Sequence, residues 1–280
     1  MSPAICRSRF VLGSYHYMRF PLEVFLDTAQ SLGLDWVELW AAAPQLCLDT
    51  LTPERLAEAK RLLNARGLKV WCLTPEQVNY PVNLAAEEPE LRAHSVRNFK
   101  RAIEAAQALE CAHILTTAGC GYYNHSVADA WARSRESLAE LEAYAQPRGV
   151  ELWLETLTPM SSNILNTPAQ QREMISQLPL GNTRTILDIG QMVYMGQSLD
   201  DYLAHGPALA HVHLHDSHPG IHIALGDGDL PIADYLTRLE EAGYRGRYAF
   251  ECNDARYRFD PAACDRQNMA WLESHGLVEG

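Results

Sequence analysis

The sequence has little of what marks membrane, secreted or nucleic-acid-binding proteins. No stretch approaches the roughly 18 consecutive apolar residues of a transmembrane helix, and the opening MSPAICRSRFVLGSYHY lacks the apolar segment of a signal peptide. Basic residues are scarce, since 23 Lys and Arg stand against 35 Asp and Glu, giving a formal net charge of −12. Because binding phosphates needs a surplus of Lys and Arg, this balance argues against nucleic acid as a partner.

Cysteines are also few, and their spacing suggests no cross-linked framework. The chain has seven cysteines, an odd number, and none of them forms a CxxC pair. Such cysteines are usually small buried apolar residues. We therefore expect no disulfide framework and a reducing, cytoplasmic compartment.

What the chain does have is a regular alternation of two kinds of segment over 280 residues that are 47% hydrophobic. Short apolar segments, flanked by turn residues and without strict alternation, recur eight times. This pattern is typical of strands that are covered on both faces. The predicted strands are Arg9–Tyr15, Trp36–Ala41, Lys69–Leu73, His113–Ala118, Glu151–Thr156, Arg184–Ile189, Leu209–His215 and Arg247–Cys252.

The segments between the strands have helical period and carry start and stop signals. Thr52 and Pro53 are typical of a helix start, and Gly67 is typical of its end. The predicted helices are 21–33, 52–67, 89–109, 128–148, Pro168–Leu178, Leu199–His205, Ile232–Gly243 and Pro261–Ser274. Eight βα units without a linker predict an α/β fold, a single (β/α)8 TIM barrel that forms one domain over residues 1–280. The alternative is a doubly wound open sheet, but no Gly-rich phosphate loop follows the first strand.

Charged residues stand at the carboxyl ends of the predicted strands, where barrels of this kind place their active sites. They are Glu38, Glu76, Glu155, Asp188, His211, His213, His215, Asp216 and Glu251. Charges at a buried barrel rim need a partner or a metal. Glu155, Asp188, one histidine of HVHLHD and Glu251 come from strands five to eight in order, close enough to converge on one ion. Two Glu, one Asp and one imidazole favour Mn²⁺, Co²⁺ or Zn²⁺ as the bound ion, and the majority of carboxylates favours a harder ion than a structural zinc.

Several motifs resemble one known family over nearly the whole chain. They are LTPEQVNYPVN at 73–83, LETLTPMSSNILNT at 154–167, LDIGQ at 187–191, HVHLHDS at 211–217, LGDGDLP at 225–231 and the segment GYRG-x-x-AFE ending at Glu251. The chain resembles the xylose-isomerase-like TIM barrels, which include sugar isomerases, ketose 3-epimerases, inosose dehydratases and the endonuclease IV group. Within them it is most similar to the ketose 3-epimerases, in particular those acting on fructoselysine.

The resemblance implies a metal site and a chemistry. It makes Glu155, Asp188, His213 and Glu251 the ligands of one divalent ion, with Mn²⁺ first and Co²⁺, Zn²⁺ or Mg²⁺ as alternatives. Glu155 and Glu251 would also be catalytic, one on each face of the sugar. The implied reaction is 3-epimerisation of a ketose or ketosamine through a metal-stabilised cis-enediolate. Where related epimerases often carry a histidine, this chain has Gln191, which can hydrogen-bond a hydroxyl but cannot carry a proton.

Further residues are predicted to contact the substrate. The predicted substrate-binding set is Trp40, Glu76, Tyr80, Asn83, Gln191 and Asp216. Glu76, Tyr80 and Asn83 share a proline-punctuated loop after the third strand, a setting suited to ligand contact. Trp40 and Tyr15 could form an apolar wall against the sugar. Asp227, between two glycines, marks either a tight turn or a loop that closes over substrate, as in the related barrels.

Other functions stay open on the same motifs. An aldose–ketose isomerase or an inosose-type dehydratase would use the same metal chemistry, and only their products would differ. DNA repair of the endonuclease IV type would need further His and Asp ligands and a basic groove, which the net charge of −12 disfavours. A sugar-binding barrel without catalysis is the remaining alternative. The expected partner is a small sugar, with no nucleic acid and no membrane, and the related barrels imply a homo-oligomer, a dimer or a tetramer.

Overall fold

Eight parallel strands close into a barrel in this computed structural model, which describes residues 4–78, 81–217 and 222–279. Each strand pairs with its sequence neighbour, and the last pairs with the first, so the barrel has no open edge. This closure excludes the doubly wound open sheet. The strands are β1 Phe10–Gly13, β2 Trp36–Ala41, β3 Lys69–Pro75, β4 His113–Thr117, β5 Glu151–Glu155, β6 Thr183–Asp188, β7 Leu209–Leu214 and β8 Arg247–Phe250.

Helices connect the strands and begin at residues suited to that position. Thr52 accepts a hydrogen bond from the Arg55 N–H, and Thr167 and Gln170 form a reciprocal capping box. The helices are α1 Leu22–Ser31, α2 Pro53–Ala65, α3 Pro89–Ala108, α4 Val127–Ala145, α5 Pro168–Ser176, α6 Ile189–Tyr194, α7 Leu199–Leu203, α8 Ile232–Glu241 and α9 Pro261–Ser274. Among the described residues, no helix combines the length and the apolar character needed to cross a membrane.

The core lies between the barrel and its helices, with a second packed layer inside the barrel. On α1, Phe25, Leu26 and Ala29 are fully buried against the strands, and each large apolar side chain contributes about 1.5–3 kcal/mol to stability. Inside the barrel, the Trp153 ring lies 4.0 Å from the His113 ring and 5.0 Å from the His211 ring, measured between centroids. In this aromatic layer, Trp153 and His211 each stand two residues before a charged residue at the carboxyl end of the same strand, Glu155 and His213.

The predicted strands are all present, and their boundaries differ by a few residues at most. One α-helix and two short strands were not predicted. The sixth strand ends at Asp188 and α6 begins at once, because the Asp188 side chain accepts the Gln191 N–H at 2.7 Å and turns the chain into a helix. Two short strands, Ile5–Cys6 and Val278–Glu279, pair in parallel and bring the two chain ends together. That residues 1–280 form one domain stays a prediction.

Candidate active site

A cavity of about 530 Å³ opens at the carboxyl ends of the strands. Its volume lies in the range of small-molecule sites. Several of the residues singled out in the sequence line it, namely Tyr15, Trp40, Glu76, Glu155, Gln191, His213 and Glu251. The cavity therefore stands where the barrel fold predicts an active site.

Four side chains converge at the base of this cavity. Glu155 ends β5, Asp188 ends β6, His213 lies in β7 opposite Asp188, and Glu251 directly follows β8. Each offers a ligand atom, and these atoms all lie within 4.8 Å of one another. His213 Nδ1 is 2.7 Å from Glu251 Oε2 and 3.4 Å from Glu155 Oε1. The structure thus brings together the four residues that the sequence analysis assigned to one metal.

The donor atoms of this cluster fit a cation. Among the residues that the structure describes, His213 Nδ1 and Glu251 Oε2 are buried and have no hydrogen-bond partner, although they lie 2.7 Å apart. Buried polar atoms without partners are rare, and an ion is one explanation for them. Three carboxylates and one imidazole suit Mn²⁺, Co²⁺ or Zn²⁺. The residues present therefore match the metal that the resemblance implies.

Glu38 fixes the orientation of His213 from below. The carboxylate of Glu38 is fully buried and accepts hydrogen bonds from Tyr15 Oη at 2.6 Å and Thr74 Oγ1 at 2.6 Å. Its oxygens also lie 2.8 Å from His211 Nε2 and 3.2 Å from His213 Nε2. Burial alone would raise the pKa of Glu38, but His213 and His211 hold this pKa well below its usual value. A carboxylate on Nε2 leaves Nδ1 of His213 to face the cluster, as in metal sites.

The cluster is short of positive charge. Burial, followed by the negative charges of Glu251 and Asp188, raises the pKa of Glu155 to about 8, against the opposing effect of His213. Burial would likewise raise the pKa of Asp188, but His215 lowers it well below its usual value. Carboxylates crowded in this way repel one another unless a cation lies between them. The electrostatics and the geometry of the cluster therefore both indicate a site for a cation.

Two further histidines stand beside the cluster. His215 Nε2 lies 3.1 Å from Asp188 Oδ1, and the His222 ring stacks on the His215 ring at 4.0 Å between centroids. His222 Nδ1 is 3.8 Å from Glu251 Oε1. The sequence analysis left the role of His215 open and missed His222, which lies on a loop with no periodic pattern. The only signal for His222 in the sequence was its position seven residues after His215.

Three of the six residues predicted to contact the substrate, Trp40, Glu76 and Gln191, line the cavity. Tyr15 and Trp40 pack at 6.1 Å between ring centroids and form an apolar wall. Gln191 Nε2 lies 3.4 Å from both Glu155 Oε1 and Asp188 Oδ2, so its amide faces the cluster. Glu76 lines the cavity and accepts the Val78 N–H at 2.7 Å. These positions are compatible with the predicted contacts.

The loop after β3 holds Asn83 away from the cavity. The side-chain oxygen Oδ1 of Asn83 accepts hydrogen bonds from the N–H groups of Ala85 and Cys120, both at 3.0 Å. The side-chain Nδ2 of Asn83 donates to the Cys120 carbonyl at 2.8 Å. Asn83 is absent from the cavity lining, because its side chain is committed to joining two loops. The substrate contact of Asn83 stays a prediction, and in this structure its side chain joins two loops. Tyr80 lies outside the described residues.

Asp216 is held by backbone N–H groups outside the cavity lining, and its substrate contact stays a prediction. Its Oδ1 accepts the N–H groups of Ser217 at 2.9 Å and Leu230 at 3.1 Å, and its Oδ2 accepts that of Gly226 at 3.0 Å. Asp216 is buried and does not line the cavity. The adjoining Asp227 bonds to side chains of its own surroundings, such as Tyr257 Oη at 2.7 Å. This loop is held as a tight turn before α8.

Known proteins with similar sequences include epimerases that act on sugars. The sequence profile of the family described as xylose isomerase-like TIM barrel matches residues 26–275. A fructoselysine 3-epimerase from Shigella flexneri is 27% identical over 233 residues, which cover 82% of this chain and 84% of that protein.

Solved structures match over almost the whole chain. A D-psicose 3-epimerase with D-tagatose from Clostridium cellulolyticum H10 has a TM-score of 0.82 at 19% identity, and the match covers 97% of this chain and 100% of that one. The IOLI protein with a bound zinc atom has a TM-score of 0.79 at 16% identity, covering 95% of this chain and 97% of that one. At these identities the two structures bear on the fold alone, and they agree with the barrel described above.

Proposed function

This chain belongs to the xylose isomerase-like TIM barrel family, and we propose that within it the chain is a metal-dependent 3-epimerase of a ketose or ketosamine. The family resemblance of the motifs is thereby confirmed, and the enzyme class is that of isomerases that act on carbohydrates. The observation that carries the finer proposal is the convergence of Glu155, Asp188, His213 and Glu251 at the base of the cavity.

The proposed ligands of the ion are those four residues, and Mn²⁺ is the first candidate, with Co²⁺, Zn²⁺ and Mg²⁺ as alternatives. When bound, a divalent ion would supply Lewis-acid stabilisation of the negative charge that develops on the sugar oxygens, commonly worth several kcal/mol. Glu38 would hold the His213 ring in place for this purpose through its contact with Nε2, at 3.2 Å.

Glu155 and Glu251 are the proposed acid–base pair. Both carboxylates line the cavity, and they come from β5 and β8, with two strands between them. They therefore approach the substrate from different sides of the cluster. One glutamate would take the C3 proton from one face of the sugar, and the other would return a proton to the opposite face. Gln191 would hydrogen-bond a substrate hydroxyl and hold the sugar between them.

The lining of the cavity bears on the substrate class. No Lys or Arg lines it among the described residues, and the neighbouring residues 79–80 and 218–221 contain neither in the sequence. A phosphate group would meet no Lys or Arg side chain there, so an unphosphorylated sugar is favoured. Glu76 lines the cavity and could pair with the amine of a ketosamine. This arrangement, with the 27% identical fructoselysine 3-epimerase, makes a fructoselysine- or psicoselysine-like compound our first candidate substrate.

An aldose–ketose isomerase or an inosose-type dehydratase is the second candidate, because the same cluster would support it. The discriminating experiment is NMR of fructoselysine, fructose and psicose incubated with the protein and Mn²⁺ in D₂O. The proposal expects the C3 epimer as product, with deuterium at C3 and none at C1 or C5. Label at C1 of the ketose or C2 of an aldose would identify a 1,2-isomerase, and loss of water would identify a dehydratase.

Two wider expectations belong to this proposal. The seven cysteines are free thiols, which supports the proposed cytoplasmic compartment. A homo-oligomer, dimer or tetramer, is proposed by analogy with the related barrels, and sedimentation of the purified protein would test it.

A further inference from the structure

A second set of metal-competent side chains lies beside the first. Asp188, His215, His222 and Glu251 each offer a ligand atom, and these atoms lie within 4.8 Å of one another. Two of the four, Asp188 and Glu251, also belong to the cluster described above, while the two histidines do not. The mechanism proposed above gives His215 and His222 no function.

The shared carboxylates have two oxygens each, and these face different neighbours. Glu251 Oε2 lies 2.7 Å from His213 Nδ1, whereas Glu251 Oε1 lies 3.8 Å from His222 Nδ1. Asp188 Oδ1 lies 3.1 Å from His215 Nε2, and Asp188 Oδ2 lies 3.8 Å from His222 Nε2. Glu251 thus presents one oxygen to His213 and the other to His222, which is the arrangement of a carboxylate that bridges two ions. Both oxygens of Asp188 face histidines of the second set.

His215 is oriented as a metal-ligating histidine is. Its Nδ1 lies 3.0 Å from the Asp216 carbonyl oxygen and donates to it, which leaves the Nε2 lone pair directed at the carboxylates. Ligating histidines usually donate their other N–H to a backbone carbonyl in this way. The ring can occupy this position only because residue 190 is glycine, since a Cβ there would stand 2.1 Å from His215 Cε1.

The balance of charge favours a second cation. Four buried or nearly buried carboxylates, Glu38, Glu155, Asp188 and Glu251, form one connected network through His213 and carry four negative charges when ionised. Among the described residues no Lys or Arg lines this cavity. With the histidines neutral, as metal ligands are, one divalent ion would leave two negative charges of these carboxylates without compensation, and buried charges without a partner are costly. Two divalent ions would balance all four.

From the two ligand sets, the bridging position of Glu251 and this charge balance, we propose that Asp188, His215, His222 and Glu251 bind a second divalent ion next to the first. The two ions would share Asp188 and Glu251, because both carboxylates belong to both ligand sets. This second site goes beyond the proposed function, and it can be tested by measuring metal binding without any measurement of activity.

The test is the metal content of the full-length protein. The protein is stripped with a chelator, reloaded with excess Mn²⁺, desalted, and assayed by elemental analysis and by electron paramagnetic resonance. We expect two Mn²⁺ per wild-type chain, with the spectrum of a spin-coupled pair. His222→Ala and His222→Gln should retain one ion with an uncoupled spectrum, and His275→Ala, which alters an exposed histidine on α9's carboxyl end, should retain two. Circular dichroism establishes that each variant is folded.

Each other outcome has a defined meaning. One ion per wild-type chain, unchanged in His222→Ala and lost in His213→Ala, overturns the second position and leaves the first intact. No retained ion in the wild type overturns both metal positions. Two ions in both wild type and His222→Ala would show that His222 is not a ligand, which also overturns the assignment.

Discussion

Replacing Glu38 by Gln tests whether the residues beneath His213 set the metal affinity. Trp71 Nε1 donates to His211 Nδ1 at 3.2 Å, so the proton of His211 lies on Nε2 and is donated to Glu38. Tyr15 Oη donates to the other carboxylate oxygen, which also faces His213 Nε2. A glutamine has one oxygen and one NH₂ group. Whichever way it is placed, a donor faces a donor.

The expected effects follow from these contacts. One unsatisfied buried donor costs about 1–3 kcal/mol of stability. Loss of the group that orients a ligating imidazole lowers metal affinity about 10–100-fold, which corresponds to about 1.4–2.8 kcal/mol of binding free energy. We therefore expect Glu38→Gln to be less stable and to bind Mn²⁺ about 10–100-fold more weakly.

The assay is a titration of the protein with Mn²⁺, in which the electron paramagnetic resonance signal reports the concentration of free ion. Glu142→Gln is the matched control, because Glu142 is equally buried but accepts from the Leu180 and Asn182 N–H groups and from Thr183 Oγ1, away from the cavity. The control should lose stability and keep its Mn²⁺ affinity. If Glu38→Gln binds Mn²⁺ as tightly as the wild type, the positioning role of Glu38 is refuted.

Three more predictions can be checked on the wild type or on single variants. Chelation should abolish activity and lower the thermal midpoint, because an ion at 100 times its Kd stabilises the fold by about 2.7 kcal/mol; a midpoint that does not depend on Mn²⁺ would contradict this. Trp40→Ala removes part of the apolar wall and should raise KM about 10-fold with little change in kcat, whereas a fall in kcat alone would place Trp40 elsewhere in the reaction. Burial lowers the pKa of His113 to about 4 from the ordinary 6.5, so between these values the unfolded chain holds a proton that the folded chain lacks. The free energy of unfolding should therefore fall as the pH drops through this window, by up to about 3 kcal/mol from this residue. The His113→Phe variant lacks this contribution, so the difference in free energy of unfolding between the wild type and the variant should change with pH over the same window. A difference that does not depend on pH would contradict the assignment.

The fold could be predicted from the sequence because each βα unit has local signals. Strand β2 was predicted with both its ends, Trp36 and Ala41, since apolar period and turn residues bound it. Helix α6 was missed because it begins directly after a strand, and its start depends on the Asp188 side chain accepting the Gln191 N–H. Hydrophobic periodicity does not reveal a strand that passes directly into a helix.

The candidate site could be predicted in part, for reasons of geometry. Strand ends meet at one rim of a barrel, so Glu155 and Glu251 could be placed together from their positions alone. Asn83 was predicted in the cavity because its loop is close to it, but the direction of its side chain is set by the Cys120 backbone, far away in sequence. His222 could not be placed, because an irregular loop brings it to Asp188.

The exchange of a single proton at C3 tests the central claim most directly. Glu155→Gln and Glu251→Gln keep the shape of each side chain but remove its capacity to take a proton, so each should lower epimerisation by about 10²–10⁴-fold. The remaining glutamate can still exchange the proton on its own face. In D₂O with Mn²⁺ bound, the account predicts deuterium at C3 of one epimer for Glu155→Gln and at C3 of the opposite epimer for Glu251→Gln. Deuterium entering both epimers with either variant would contradict it.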